Sequence, residues 1–315
     1  MNTNFDIFHS SSKLLKTFNG HTGQVLSIAY STFNDGQFLC SGSFDKTVRL
    51  WNIETIEQIQ SFNGHLNTVY CVKFSPYHYH NHHRNVICSS SLDSTIRFWD
   101  IKDNQQSKIF NTYSNSVYYI SPLQSCDNNS NKSNGIGVIG GNGYTICSGS
   151  YDNTIRIWDI ETTKQLIVFK EHENYVNSIK YGSGTGCANT ILSGSKDKSV
   201  RLWDIRSGQQ IQVFRGHQNA VMTVEHLPFA VNNSEVGNSL DIVCSGSLDN
   251  TIRFWDIRSN KKELNVIHGN CKEYGGIHCL TFLPLKEKKN KNTRNDTFDF
   301  NLCYGSCDGL ICVWG

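Results

Sequence analysis

The sequence predicts an all-β fold built from one repeated unit and closed on itself, and three observations carry that expectation. The first is a recurring pattern that reads SGSKDKSVRLWDI from Ser193 to Ile205. Near copies begin at Ser41 (SGSFDKTVRLWNI), Ser89 (SSSLDSTIRFWDI), Ser148 (SGSYDNTIRIWDI) and Ser245 (SGSLDNTIRFWDI), with a divergent YGSCDGLICVWG from Tyr304. Asp precedes Trp by the same spacing in all six copies, and Trp51, Trp99, Trp158, Trp203, Trp255 and Trp314 are every tryptophan of the chain. The second is a shorter signature: FNGH ends at His21 and at His65, FKEH at His172 and FRGH at His217. The third is a short apolar segment after each such histidine, of strand length and strand composition. Self-similarity along 315 residues argues for one repeat domain, not two unrelated ones.

Taken in order, residues 1–12 are polar and aperiodic and read as a flexible arm, with the repeat domain spanning 13–315. Each unit then reads as a short strand, a Gly-His turn and a second strand: Val25–Tyr30, Val69–Phe74, Val176–Tyr181 and Val221–His226 in the regular units. A loop, a strand ending in small residues, a turn carrying Asp and a strand ending in Trp follow. The interval from a turn Asp to the next His is constant, as from Asp152 to His172 and from Asp197 to His217. The interval from His to the following Asp varies from 24 (His21 to Asp45) to 32 (His217 to Asp249). The slack sits in one loop, which holds Tyr77–Arg84 (YHYHNHHR), Cys126–Gly135, Gly182–Asn189, Phe229–Asp241 and Leu285–Phe298. Insertions confined to one loop crowd one face and leave the opposite face with constant geometry. Two units depart from the pattern. The third has Tyr113-Ser114 where Gly-His belongs and reads as a join left by a lost repeat; the sixth has no aligned His and carries Tyr304 in place of Ser.

Composition narrows the function. A net charge of +2 gives no global field toward nucleic acid or anionic membrane, so partners must be recognised locally. Five of the twelve cysteines, Cys40, Cys88, Cys147, Cys244 and Cys303, occupy one repeat position. Equivalent positions in different units lie too far apart for a disulfide, so buried reduced thiols are expected. The N-terminal residues carry neither a basic region nor an apolar one, and no apolar run approaches a membrane span; the expected compartment is the cytoplasm or the nucleus. The histidines of YHYHNHHR match no zinc spacing and read as a solvated loop, the Lys286–Lys291 cluster reads the same way, and Gly135–Gly143 lacks the strand-to-helix setting of a phosphate loop. No metal and no cofactor are expected.

The Gly-His and Trp-Asp signatures, with four short strands per unit, resemble the WD-repeat β-propellers, G-protein-β-like WD repeats, over residues 13–315. The resemblance implies six four-stranded blades, with a seven-bladed ancestor as the alternative origin, and Lys13–Phe18 as the outer strand that closes the last blade. It also implies that the Ser, His and Asp of each unit are not a catalytic triad but a structural network joined to Trp. The full sets are Ser41, His21, Asp45 and Trp51; Ser89, His65, Asp93 and Trp99; Ser193, His172, Asp197 and Trp203; and Ser245, His217, Asp249 and Trp255. Asp152 in the third unit is left without a histidine.

The function so implied is a non-catalytic scaffold for proteins or peptides, with no nucleic acid and no membrane insertion. The Gly-His and Asp turns share one end of their strands, so the residues beside them form the expected binding surface: Gln24, Phe44, Thr68, Leu92, Tyr151, Tyr175, Lys196 and Leu248. Aromatic and apolar side chains there are typical interface anchors. Trp203-Asp204-Ile205-Arg206 and Trp255-Asp256-Ile257-Arg258 resemble the Trp-Asp-x-Arg pattern of substrate receptors in cullin-based ubiquitin ligases. That alternative places an adaptor on Asp204, Arg206, Asp256 and Arg258. An enzyme built on a propeller is the alternative of another class, and it would need a pocket in the central channel.

Overall fold

A computed structural model of the chain describes residues 17–31, 38–111, 115–122, 145–182, 189–227, 231–232, 239–240, 242–258, 263–269, 276–284, 300–306 and 311–314. The first blade is β1 (Val25–Tyr30), β2 (Phe38–Ser43), β3 (Thr47–Asn52) and β4 (Gln58–Asn63), paired antiparallel in chain order. The second is β5 (Val69–Phe74), β6 (Val86–Ser91), β7 (Ile96–Asp100) and β8 (Gln105–Phe110), with a short helix α1 (Pro76–His82) between its first two strands. The third is β9 (Val117–Pro122), β10 (Thr145–Ser150), β11 (Ile155–Asp159) and β12 (Gln165–Phe169), and the fourth is β13 (Val176–Tyr181), β14 (Thr190–Ser195), β15 (Ser199–Asp204) and β16 (Gln209–Arg215). In the fifth, β17 (Val221–His226) pairs with β20 (Ile242–Ser247), β21 (Thr251–Asp256) and β22 (Asn265–His268), while β18 (Val231–Asn232) and β19 (Ser239–Leu240) form a side ribbon. The sixth comprises β23 (Ile277–Pro284), β24 (Phe300–Ser306) and β25 (Ile311–Trp314). The molecule is a six-blade β-propeller, and the first strands of all six blades line its central channel.

The core lies between blades. Cys40, Val48, Leu50 and Phe62 of the first blade pack on Val69, Val72 and Trp99 of the second, and four equivalent clusters join each later blade to the next as far as the sixth. Among the described residues, no such cluster joins the sixth blade to the first. The closing strand expected at Lys13–Phe18 lies outside the described residues as far as Lys16. Thr17–Gly20 are not in a strand, and Phe18 sets its ring edge-on to Trp51 at 5.8 Å. The arm at 1–12, the turn at Tyr113-Ser114, the Lys286–Lys291 cluster and Gly135–Gly143 also lie outside the described residues.

Two local features explain why this sequence folds this way. In five blades the Asp turn bends tightly because the residue after Asp takes a left-handed backbone: Lys46, Ser94, Asn153, Lys198 and Asn250 have φ of 60–71°. Asp Oδ1 holds that bend by accepting the N–H two residues on, at 2.9–3.1 Å, as in an Asx turn. The second feature is a bulge in every first strand. Val25 and Ser27 pair with the adjacent residues Ser43 and Gly42, leaving Leu26 unpaired, and the same step recurs at Tyr70, Tyr118, Asn177, Met222 and His278.

The YHYHNHHR segment is solvated only in its second half: His80 to His83 are exposed, but its first half is helical and enters the core. Pro76 sits in the first turn of α1, Tyr77 and His78 are buried, and His78 bonds Ser75 Oγ at 2.9 Å beneath the Phe98 ring. Burial, with Lys108 nearby, lowers the His78 pKa to about 4. The Tyr77 and His78 rings fold inward over the blade because their faces are apolar, which a count of polar residues overlooks, whereas His80, His82 and His83 stay exposed. Of the expected buried thiols, Cys40, Cys88, Cys147 and Cys244 are buried and Cys303 is half-buried.

Candidate functional site

The four networks assemble as the resemblance implies. His21 Nε2 lies 2.7 Å from Ser41 Oγ and Nδ1 lies 2.7 Å from Asp45 Oδ2, while the Trp51 indole N–H donates to the same Ser41 oxygen at 2.8 Å. The corresponding distances are 2.7, 2.8 and 2.8 Å around His65, 2.7, 2.7 and 2.8 Å around His172, and 2.8, 2.9 and 2.9 Å around His217. Donors and acceptors then match in one direction: Trp N–H to Ser oxygen, Ser O–H to His Nε2, His Nδ1–H to Asp. This requires neutral histidine. Burial depresses the pKa of His65 and His172 despite the carboxylate beside each. Burial raises the carboxyl pKa of Asp93 and Asp197, but bonds from His65 and His172 more than offset it and leave both well below the usual range. The arrangement has triad connectivity without triad chemistry. Each serine is buried and its oxygen already accepts the indole N–H, so no substrate carbonyl can reach it.

The networks fix one end of the ring, because each ties a Gly-His turn to an Asp turn. Backbone bonds complete the join: Phe44 N–H donates to Gln24 O, Leu92 to Thr68, Tyr151 to Ser116, Lys196 to Tyr175 and Leu248 to Ala220, at 2.9–3.0 Å. Phe44, Gln24 and Lys196 are exposed there, and Leu92, Tyr151, Tyr175 and Leu248 are half-buried. Thr68 is a correction: its side chain is buried under the turn and has no surface to give a partner. Tyr151 stacks on Tyr175 with centroids 3.5 Å apart, and Lys196 Nζ stands 4.8 Å over the Tyr175 ring. Tyr175, Lys196 and Leu248 border the mouth of a channel of about 1330 Å³.

Sequence reasoning missed the bulge residues, which belong to this surface. The bulge re-aims one side chain per blade, and Leu26, Tyr70, Tyr118, Asn177, Met222 and His278 all line the channel. Tyr118 lies 4.6 Å from Tyr70 and 6.0 and 6.5 Å from Tyr151 and Tyr175, so four tyrosines make a continuous aromatic track across three blades. Burial raises the Tyr118 pKa, and a bond to Tyr151 raises that of Tyr175. Leu66, exposed just after a turn histidine, was also missed. The available signal was the spacing of three between apolar residues in Val69-Tyr70-Cys71-Val72 and its counterparts, which an unbroken period of two cannot produce.

The WD domain, G-beta repeat profile matches residues 12–52, 56–100, 109–159, 163–204 and 208–256. The chain belongs to the WD-repeat family. Stretches of the chain are similar to known proteins: they are 32% identical over 178 residues to Cell division control protein 4 of Saccharomyces cerevisiae, covering 54% of this chain and 22% of that protein. They are 42% identical over 53 residues (17% of this chain, 10% of the relative) to the U3 snoRNP-associated protein-like YAOH of Oryza sativa subsp. japonica. They are also 41% identical over 58 residues (18% and 15%) to a guanine nucleotide-binding protein subunit beta of the same species. The aligned stretches thus span under a quarter of each of these relatives. WD-repeat propellers are generally protein-binding and non-catalytic. At the opposite end of the WD-repeat blades, Asp204 and Asp256 accept the N–H of Arg206 and Arg258 at 2.8 and 3.0 Å, and both Arg side chains are exposed. Asp100 does the same for Lys102 at 2.9 Å, so this aspartate shapes the turn in blades with and without the following Arg. No described helix is long and apolar enough to cross a membrane, and the described residues hold no cluster of His, Cys, Asp and Glu suited to a metal ion.

Proposed function

We propose that the chain is a non-catalytic scaffold in the cytoplasm or nucleus that docks a peptide or protein across the channel mouth, on the end bearing the Gly-His and Asp turns. The aromatic track from Tyr70 through Tyr118 to Tyr175 and Tyr151 carries this reading. Stacked rings offer a large contact area at little cost in side-chain entropy, and such residues dominate binding energy at protein interfaces. Phe44 and Leu66 extend the apolar surface on the first two blades, and Lys196 adds one charge.

The test is to identify partners by affinity capture, purify one, and measure its affinity for variants by calorimetry. Tyr151→Ala and Phe44→Ala should each weaken binding by about 2 kcal/mol with folding retained. The control is Arg206→Ala with Arg258→Ala, on the far end of the blades. Binding lost in that double variant and intact in the first two would assign the opposite face and favour the cullin-adaptor alternative. Deleting Tyr77–Arg84 is not a usable control, because Tyr77 and His78 are part of the core.

A further inference from the structure

A different surface carries an inference independent of the channel mouth. Each first strand presents two aliphatic side chains, flanking the bulge, to the preceding blade. Val69 and Val72, Val117 and Ile120, Val176 and Ile179, and Val221 and Val224 are 0% exposed, and Ile277 and Leu280 are 0% and 7%. A small residue in the preceding blade receives them. A Cβ added to Gly42 would lie 2.7 Å from Val69 Cγ1, one on Gly194 2.7 Å from Val221 Cγ1, and one on Gly246 2.6 Å from Ile277 Cγ2. The sixth pair is Val25 and Ile28 of β1, and they are 49% and 62% exposed, with Tyr30 beside them at 66%. On the facing wall Gly305 holds the notch position of the sixth blade, and the one atom a Cβ there would meet is Cys279 Sγ of its own sheet.

We propose that blades six and one bound a slot that receives a further β-blade from another polypeptide. The two walls ask for opposite halves of the same joint. Val25 and Ile28 require a small-residue notch, and Gly305 requires an aliphatic pair three residues apart. A sheet with a bulged first strand carrying that pair and a second strand carrying Gly or Ser supplies both, which is the makeup of the five internal joints. A hydroxyl or similar acceptor completes it, since Ser27 Oγ accepts Val72 N–H at 3.1 Å and Ser178 Oγ accepts Val224 N–H at 3.2 Å across two of those joints. A second copy of the chain is the competing occupant, since a two-fold axis could set Val25 and Ile28 of each copy against Gly305 of the other, but it would offer two half-joints in place of one inserted sheet.

The probe is a fluorescein-labelled peptide of residues 172–217, which carries Val176, Ile179 and Gly194, titrated with the full chain and followed by anisotropy. Saturable binding is expected, weakened at least tenfold by Ile28→Glu and by Gly305→Val, with the melting temperature unchanged by Ile28→Glu. Absence of saturable binding to the folded chain, or binding indifferent to both substitutions, overturns the proposal. A dimer in sedimentation velocity that Ile28→Glu dissolves assigns the face to a second copy instead. A fall in melting temperature on Ile28→Glu as large as that on Val72→Glu would mean that the chain already covers this face itself.

Discussion

Blades four and three answer the same electrostatic need in two ways. In the fourth, Asp197 accepts from His172 at 2.7 Å, and Arg201 keeps its guanidinium 3.4 Å from the same oxygen. The third blade's sequence has no histidine for the role, and Arg156 closes to 2.7 Å from Asp152 Oδ2. The Trp-to-Ser bond is 2.8 Å in both. The aspartate, which shapes the turn through its other oxygen, is therefore satisfied in either case. What differs is the origin of the partner. His172 comes from the segment linking blades three and four, so its bonds fasten one blade to the next, whereas Arg156 is four residues from Asp152 on the same hairpin.

The comparison breaks if the two blades fail to behave alike where their geometry is alike. Trp158→Ala and Trp203→Ala remove equally buried indoles and should each destabilise by about 3–5 kcal/mol in denaturant unfolding. A much smaller loss at Trp158 would mean that the histidine network, and not burial of the indole, sets the stability. A sharper contrast is expected between the aspartates. Asp197→Ala strands a buried histidine and should cost about 1–3 kcal/mol, while Asp152→Ala releases Arg156, which keeps a partner in Gln165 and some access to water, and should cost less. Equal losses would show that the linker histidine adds nothing.

The smallest effect is the pH dependence, which belongs to the histidine-bearing blades. Burial places the folded-state pKa of His65 and His172 below their unfolded value of 6.5. The unfolded chain takes up the proton first, so stability is full above pH 6.5 and declines as the pH falls below it. A second decline begins below 3.8, where carboxylates such as Asp93 and Asp197 are protonated in the unfolded chain but held ionised in the fold. Melting curves from pH 7.5 to 5 should show the first decline, and it should be shallower in a His65→Gln, His172→Gln double variant. An unchanged slope would argue that these histidines are already protonated in the fold.

The repeats made much of this legible in advance. Trp, Ser and Asp sit at fixed offsets and a His, where one follows the preceding Asp, does so at a constant interval, so the family resemblance could be mapped onto four complete networks, with the third and sixth units left incomplete. The shift of Arg156 could not be read this way, because Arg stands at that position in five units (Arg49, Arg97, Arg156, Arg201 and Arg253) and only the missing histidine lets one of them close in. The bulge residues were hidden because a bulge advances the side-chain phase by one without changing composition. Thr68 illustrates the limit at the candidate site, since its position is equivalent to exposed Gln24 and half-buried Tyr175 and its burial depends on the local fit of the turn. Likewise Val25 and Ile28 read like Val69 and Val72, and what separates them is the neighbouring sheet, which no pattern within the strand encodes.

One position in the second strand of the blades has a consequence for how the ring comes apart. Cys40, Cys88, Cys147 and Cys244 occupy it in blades one, two, three and five, fully enclosed, and burial pushes each thiol pKa upward. Since alkylating reagents attack the thiolate, these sulfurs are inert while their own sheets are closed and become reactive when a sheet opens. The protein thus carries a separate chemical clock in each of four blades. The sequence in which the four are labelled under mild denaturant is the order in which the propeller loosens, read from the native chain without any introduced probe.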